Sequence, residues 1–206
     1  FAETKEEWNY QSADYDPYLM GFAVYDLDGD GRLELMTYAR AGTGLYSENH
    51  FYRVSNSGDG IEEIPQDYYD GVSELDIGSG VQAYLDETSG ITYFLATDVV
   101  RNGYAESWWI DGAFYLEADC VHSVAYRTVH SVSKGRNELA QGSYYDPAGN
   151  EISEAEWVEL GELFLENKTD IACSFGWQFL YPEELRQMSE EELLELLAES
   201  CCMAGL

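Results

Sequence analysis

The chain has 206 residues, and forty acidic side chains against ten basic ones give it a formal net charge of −30. Such a charge repels phosphate backbones and anionic lipid surfaces, which excludes nucleic acid and membrane surfaces as leading partners. No run of about 18 apolar residues is present, so we expect no transmembrane segment. Hydrophobic residues make up 45% of the chain. That proportion favours a folded protein, and we predict a single domain over 1–206.

The N-terminal segment 1–20 mixes aromatic and acidic residues without a clear period, which predicts a short helix or an irregular arm. Pro17 is expected to mark the entry into the first strand. Apolar residues then alternate with a period of two from Phe22 to Tyr25 and again from Leu33, on either side of an acidic loop. This pattern predicts a strand, a loop and a second strand.

Turn signals recur at short intervals over 21–146, between runs of aromatic and β-branched residues. This spacing predicts sequential antiparallel strands, a β-meander, and argues against parallel βαβ units. Asp111 and Gly112 suit a two-residue type I′ turn, which would place Trp109 opposite Phe114 and Trp108 opposite Tyr115.

The segment 153–200 has helical spacing and helix caps. Ser153 with Glu156 and Ser189 with Glu192 form capping boxes, and Pro182 suits the first position of a helix between them. A stripe in the last helix is expected to pack on the sheet and consists of Leu193, Leu194, Leu196 and Leu197. The fold class that we expect is α+β and mainly β, with a curved or partly propeller-like meander and C-terminal helices packed on it.

The stretch "DLDGDGRLE" places three carboxylates, those of Asp26, Asp28 and Asp30, at positions 1, 3 and 5 of a loop. Gly31 at position 6 allows the sharp turn that converges them. Calcium takes six to eight oxygen ligands, so the carbonyl of Arg32 at position 7 and the carboxylate of Glu34 at position 9 complete the predicted site. The cofactor that we expect is one structural calcium ion.

The loop differs from an EF-hand because position 12 is Thr37, which has no carboxylate, and because strands flank it. It resembles the strand-flanked DxDxDG loops of integrin-type FG-GAP repeats. Together with "SGITYFLATD", "DGAFYLEA" and "DPAGNEISEAEW", the stretch "FAVYDLDGDGRLEL" resembles a family of uncharacterised exported proteins and lipoproteins of gut Firmicutes. The resemblance implies one such loop, a meander and a short helical end, and it implies no activity.

An acidic turn without metal is the alternative interpretation, since Asp and Gly are common hairpin residues. Three carboxylates within five residues favour the metal site, because they repel one another at a cost that a simple turn does not require. Sites of the extracellular kind bind calcium at roughly 10⁻⁴ to 10⁻³ M. Such a site favours a secreted protein or one anchored by lipid to the outside of a bacterial cell. The start at Phe1 without a methionine suggests only that a targeting segment, if there was one, has been removed.

No catalytic motif is present. His122 and His130 are eight residues apart on one predicted strand, too far to share a metal, and His50 stands alone. A pair of acidic residues for glycoside hydrolysis stays open, because forty acids make pairs easy to propose. A disulfide between Cys120 and Cys173 is also open.

Trp108 and Trp109 suggest binding of carbohydrate or protein if they lie on an exposed face. The leading functional hypothesis is therefore a non-catalytic module at the cell surface, stabilised by calcium. The alternatives are a hydrolase that acts on glycan or cell-wall material, a carbohydrate-binding module, and a structural or inhibitory partner domain.

Overall fold

The computed structural model describes residues 1–8, 19–41, 46–68, 75–79, 81–102, 105–133, 141–172 and 175–201. Pro17, Cys173 and Cys202 lie outside these ranges, and so does the predicted entry into the first strand. Within these ranges the strands and helices, in chain order, are α1 (Lys5–Trp8), β1 (Leu19–Tyr25), β2 (Glu34–Ala41), β3 (Tyr46–Val54), β4 (Ile61–Glu63), β5 (Gln66–Tyr68), β6 (Gln82–Asp86), β7 (Thr92–Asn102), β8 (Glu106–Glu117), β9 (Cys120–Val132), β10 (Gln141–Tyr145), β11 (Glu151–Ile152), α2 (Glu154–Leu165), β12 (Lys168–Asp170), β13 (Gln178–Leu180), α3 (Pro182–Gln187) and α4 (Glu190–Ser200).

The strands form two open sheets. The five-stranded sheet has the order β13-β1-β2-β3-β4, and the eight-stranded sheet has the order β11-β10-β9-β8-β7-β6-β12, with β5 added beside β9. The β5–β9 pair is parallel, whereas the other pairs of neighbouring strands are antiparallel. The predicted class, an antiparallel meander with C-terminal helices packed on it, is confirmed.

Aromatic side chains hold the two sheets face to face. Tyr25 of the five-stranded sheet meets Phe94 of the eight-stranded sheet with ring centroids 5.6 Å apart, and Phe51 meets Phe114 at 5.5 Å. All four rings are at most 5% exposed. Rings at these separations and tilts add attraction beyond the apolar area that they bury, so this layer is the main core.

The opposite face of the five-stranded sheet is covered by the chain termini. Phe22 on β1 packs against Trp8 of α1 with ring centroids 5.7 Å apart, and Leu193 and Leu197 of α4 belong to the same buried cluster. Since successive side chains of a strand point to opposite faces, β1 is buried on both. Leu196 is half-buried, but Leu194 is 54% exposed and does not belong to the packed stripe.

Helix α2 packs on the outer face of the eight-stranded sheet. The Arg127 guanidinium on β9 lies 3.7 Å from the centroid of the Trp157 ring, and its Nε donates to Asp111 at 2.8 Å. A Cβ on Gly161 would clash with that guanidinium. The predicted helix starts are confirmed, because Ser153 and Ser189 form capping boxes and Pro182 begins α3. Strands β12 and β13, which the pattern of 153–200 did not indicate, lie between the helices.

The predicted turn at Asp111–Gly112 is wrong. Strand β8 continues through both residues, so Trp108 lies opposite Val100 and Trp109 opposite Val99. Gly112 is required by close packing, because a Cβ there would lie 2.8 Å from Leu75 Cδ2 and 2.8 Å from the Val124 carbonyl oxygen. The pairing with β9 shifts register at this point, as expected for a β-bulge.

The chain reverses instead at Ala118 and Asp119, whose φ angles are 49° and 66°. Glu117 and Cys120 pair across this turn. Two successive positive φ angles are the requirement of a type I′ hairpin. Alanine is rare in that conformation because its Cβ crowds the backbone, so the sequence carried no strong signal for this turn.

We predict that Gly112→Ala destabilises the protein by about 1–3 kcal/mol, because the added methyl group must displace a backbone carbonyl in a packed interior. Gly60→Ala is the matched control, since a Cβ at Gly60 meets no atom within 4 Å and its φ is ordinary. Urea unfolding of both variants measures the difference. Equal stability of Gly112→Ala and the wild type would contradict the packing described here.

Candidate metal centre

The acidic loop, residues 26–33, joins two central strands of the five-stranded sheet. Its ends are fixed by the antiparallel pair Tyr25 and Glu34. Gly29 and Gly31 have φ angles of 75° and 87°. Residues with a Cβ are strained in this region, so the tight turn of the loop requires glycine at both positions. Leu27 is 1% exposed and belongs to the core between the sheets. The loop is therefore anchored to the core at one residue.

Three carboxylates of the predicted site converge. One oxygen each from Asp26, Asp28 and Glu34 lies within 4.8 Å of the others. They come from the start of the loop and from the first residue of β2, so the antiparallel pairing of β1 and β2 brings position 9 back to positions 1 and 3. The sequence predicted that Asp30 joins these three carboxylates, and Asp30 does not belong to the converging group.

Glu34 is the most unusual member of the group. It is only 3% exposed, and its Oε2 accepts a hydrogen bond from the Leu27 N–H at 2.9 Å. Burial raises its pKa to about 7; the Leu27 hydrogen bond opposes this rise, and repulsion from the three aspartates adds to it. A carboxylate in this position needs a proton or a cation to offset the cost of burying its charge.

Asp26 has one satisfied and one unsatisfied oxygen. Its Oδ2 accepts a hydrogen bond from the Gly31 N–H at 3.0 Å, which closes the loop. Its Oδ1 is shielded from solvent and accepts no hydrogen bond from any described residue. Buried polar atoms in native proteins nearly always have a partner. A cation bound between Asp26, Asp28 and Glu34 would supply one.

Asp28 and Asp30 shape the outer part of the loop. Asp28 Oδ1 accepts from the Asp30 N–H at 3.1 Å, and Asp30 Oδ1 accepts from the Arg32 N–H at 2.7 Å. Burial raises the pKa of Asp28, and repulsion from Asp30 and Asp26 contributes after it. Asp30 is not in the converging group. Its role as a ligand, like that of the Arg32 carbonyl, stays a prediction.

The Arg32 side chain links the acidic loop to the end of β3 and to the turn that follows β3. Its guanidinium donates to the Val54 carbonyl oxygen at 2.5 Å and to the Asn56 side chain at 3.3 Å. Val54 ends β3, and Asn56 lies in the turn before β4. The position of the acidic loop is thus fixed on the core side by Leu27 and on the outer side by Arg32.

The donor set fits a hard cation. It consists of the carboxylate oxygens of Asp26, Asp28 and Glu34, and among the described residues it includes no nitrogen or sulfur ligand. Oxygen-only sites with several carboxylates suit hard cations such as calcium, magnesium or manganese. The shielded Oδ1 of Asp26 is consistent with this chemistry.

The three histidines are each paired separately. His50 Nδ1 lies 2.6 Å from Glu63, and His122 Nδ1 lies 3.5 Å from Asp67. His130 Nε2 lies 2.8 Å from Glu106. In the described part of the chain they belong to no group with metal-ligating geometry.

The two adjacent tryptophans do not form one binding face. They alternate on β8: Trp108 is half-buried and stacks on His130 with centroids 4.0 Å apart, whereas Trp109 is 43% exposed. Cys120 and Cys201 are free thiols. Cys173, the partner that the sequence suggested for Cys120, lies outside the described residues.

The chain matches no protein-family model, and comparison with curated proteins and with solved structures returns no similar protein. Among the described residues, no helix has the length and apolar character needed to cross a membrane. The resemblance to exported proteins of Firmicutes stays a prediction.

The raised pKa of Glu34 predicts the pH dependence of the calcium-free protein. Between its unfolded value of 4.5 and its folded value of about 7, the folded state holds a proton that the unfolded chain releases. The contribution of Glu34 to the free energy of unfolding is therefore fully present below pH 4.5 and is lost as the pH rises through 7. This loss is on the order of 3 kcal/mol.

Glu34→Gln isolates this effect, because glutamine keeps an oxygen for the Leu27 N–H and carries no charge. In EDTA, we expect the free energy of unfolding of Glu34→Gln minus that of the wild type to increase from pH 5 to pH 7 and then to level off. Urea unfolding at intervals of half a pH unit measures this difference. A difference that does not change with pH would contradict the burial of an ionisable Glu34.

Proposed function

We propose that the protein is a non-catalytic, exported binding module whose first hairpin is stabilised by one structural calcium ion. The observation that supports this proposal most directly is the combination of a buried Glu34 carboxylate with the unsatisfied, shielded Oδ1 of Asp26 in one group. A simple acidic turn explains neither of these two features. A divalent cation explains both.

Electrostatics supports a cation at this loop. Four carboxylates lie within nine residues of a chain whose net charge is −30, and two of them have raised pKa values. A raised pKa means that the surroundings disfavour the charged form. A bound Ca²⁺ ion would reverse this effect, keep the carboxylates ionised at neutral pH and relieve their mutual repulsion.

The calcium ion would be structural and not regulatory. EF-hand sensors respond to calcium by changing the angle between two flanking helices. Here the loop is flanked by β1 and β2, which pair over seven residues, and β1 is buried against a core on each face. Neither strand is free to move, so the ion would hold the end of a hairpin that is already formed.

We propose export because the site fits extracellular calcium. With one side of the loop open at Asp28 and no bidentate glutamate at position 12, we expect a dissociation constant of about 10⁻⁴ to 10⁻³ M. Calcium outside cells is abundant enough to occupy such a site. A secreted protein or one anchored by lipid at the outer face of a bacterial cell follows as the proposed location.

Millimolar calcium is expected to raise the melting temperature of the wild type, because an ion that binds only the folded state stabilises it by mass action. At ten times the dissociation constant the gain is about 1.4 kcal/mol, or a few degrees for a domain of this size. Asp28→Ala should abolish the rise. Thermal melts in EDTA and in 10 mM calcium measure it.

Asp146→Ala is the matched control. Asp146 also lies in a turn, and its carboxylate accepts from the Ala148 and Asn150 N–H groups at 3.0 and 2.8 Å. Its loss should lower the melting temperature but leave the increment with calcium unchanged. A wild-type melt that is the same in both buffers would overturn the calcium proposal.

A further inference from the structure

A polar pocket with a volume of about 170 Å³ lies at the other end of β2 from the acidic loop. Two lining residues come from β2, one from β3 and three from the last part of β7, and the seventh precedes the short 3₁₀ turn Ile77–Ser79. In chain order they are Tyr38, Arg40, Ser47, Asp76, Asp98, Val99 and Arg101. The pocket therefore lies at the edge of the interface between the two sheets.

The Arg40 guanidinium is held in place before any ligand arrives. Its Nε donates to the Tyr38 hydroxyl at 2.7 Å, and its Nη2 donates to Asp76 at 3.1 Å. Asp76 is itself oriented, because its Oδ1 accepts from the Gly78 N–H at 3.2 Å. A fixed, planar guanidinium beside a fixed carboxylate is suited to recognise a ligand that carries both charges.

Arg101 is the second cation of the pocket, and it differs from the other basic residues. Eight of the ten lysines and arginines lie in the described ranges. Seven of these eight donate a hydrogen bond or form an ion pair. Arg101 does neither within the described part of the chain. In a protein with four acids for each base, such an arginine is available for a ligand anion.

The pocket thus presents two arginines and two aspartates. Two aspartates disfavour a ligand that is only anionic, such as phosphate, and two arginines disfavour a simple cation. The volume is below the roughly 300–1,000 Å³ that is common for pockets of drug-sized ligands. The complementary ligand is small, with one positive and one negative group.

We propose that this pocket binds a free amino acid or a very short peptide through its α-ammonium and α-carboxylate groups. Arg101 and Arg40 receive the carboxylate, and Asp98 and Asp76 receive the ammonium group. This assignment names a ligand class for the proposed binding module; it rests on the binding role of that module and not on its calcium ion.

Isothermal titration calorimetry in 10 mM calcium tests the proposal with L-alanine and L-alanyl-L-alanine as probes. At least one probe should bind with a dissociation constant in the millimolar range or below. Acetylation of its amino group or amidation of its carboxylate should weaken binding at least about tenfold, because either change leaves charged groups of the pocket unpaired.

Arg101→Gln should also weaken binding about tenfold without changing the melting temperature, since the Arg101 side chain is exposed and forms no hydrogen bond or ion pair with a described residue. Arg186→Gln is the control: Arg186 is an exposed arginine on α3, paired with Glu183, and its loss should leave the affinity unchanged.

Three results would each overturn the proposal. The first is the absence of binding by both probes at 20 mM; if the melting temperature of the same protein rises with calcium, the calcium proposal still stands. The second is equal affinity of the free and blocked probes. The third is equal affinity of Arg101→Gln and the wild type.

Discussion

The burial of β1 on both faces is the constraint on which the rest of the structure depends. One set of its side chains, Ala23 and Tyr25, faces the eight-stranded sheet, and the other set, with Phe22 and Val24, faces the terminal helices. Because this strand is central to both cores, the loop that follows it cannot relax by moving the strand. The antiparallel pairing of β1 with β2 also buries Glu34, the first residue of β2.

A charged side chain at such a position requires an explanation. Asx-type hydrogen bonds, such as those that Asp28 and Asp30 accept from backbone N–H groups, are ordinary features of acidic turns. They do not require a buried glutamate, nor an aspartate oxygen that is hidden from water without a partner. A proton or the proposed calcium ion would compensate these groups, and the two would compete for the same carboxylates.

This competition connects the fold to the proposed compartment. At neutral pH and without calcium, a glutamate with a pKa of about 7 is divided between its two forms, and the ionised form destabilises the hairpin. In the proposed calcium complex, the ionised form would be the bound form. Such a module would be most stable where calcium is plentiful, which is the condition in the compartment that we propose.

Local signals in the sequence predicted more than the signals that depend on distant contacts. The capping boxes at Ser153 and Ser189 are complete within a few residues, and the structure has both. The acidic loop is equally local, and the structure brings together three of its four predicted carboxylates. The turn predicted at Gly112 is wrong because a glycine can serve either a turn or a close approach of two segments. Here it allows the close approach of Leu75, a residue distant in sequence. The hairpin at Ala118 and the pocket that contains Arg101 depend on tertiary packing, which no local pattern reports.

The measurement that tests the central claim most directly is a crystal structure grown in millimolar calcium, with anomalous diffraction to identify the ion. The account predicts one calcium ion bound by Asp26, Asp28, Asp30, Glu34 and the Arg32 carbonyl oxygen, at roughly 2.3–2.6 Å. A well-ordered loop without an ion, in which Asp26 Oδ1 accepts a hydrogen bond from water or from a protonated Glu34, would contradict it.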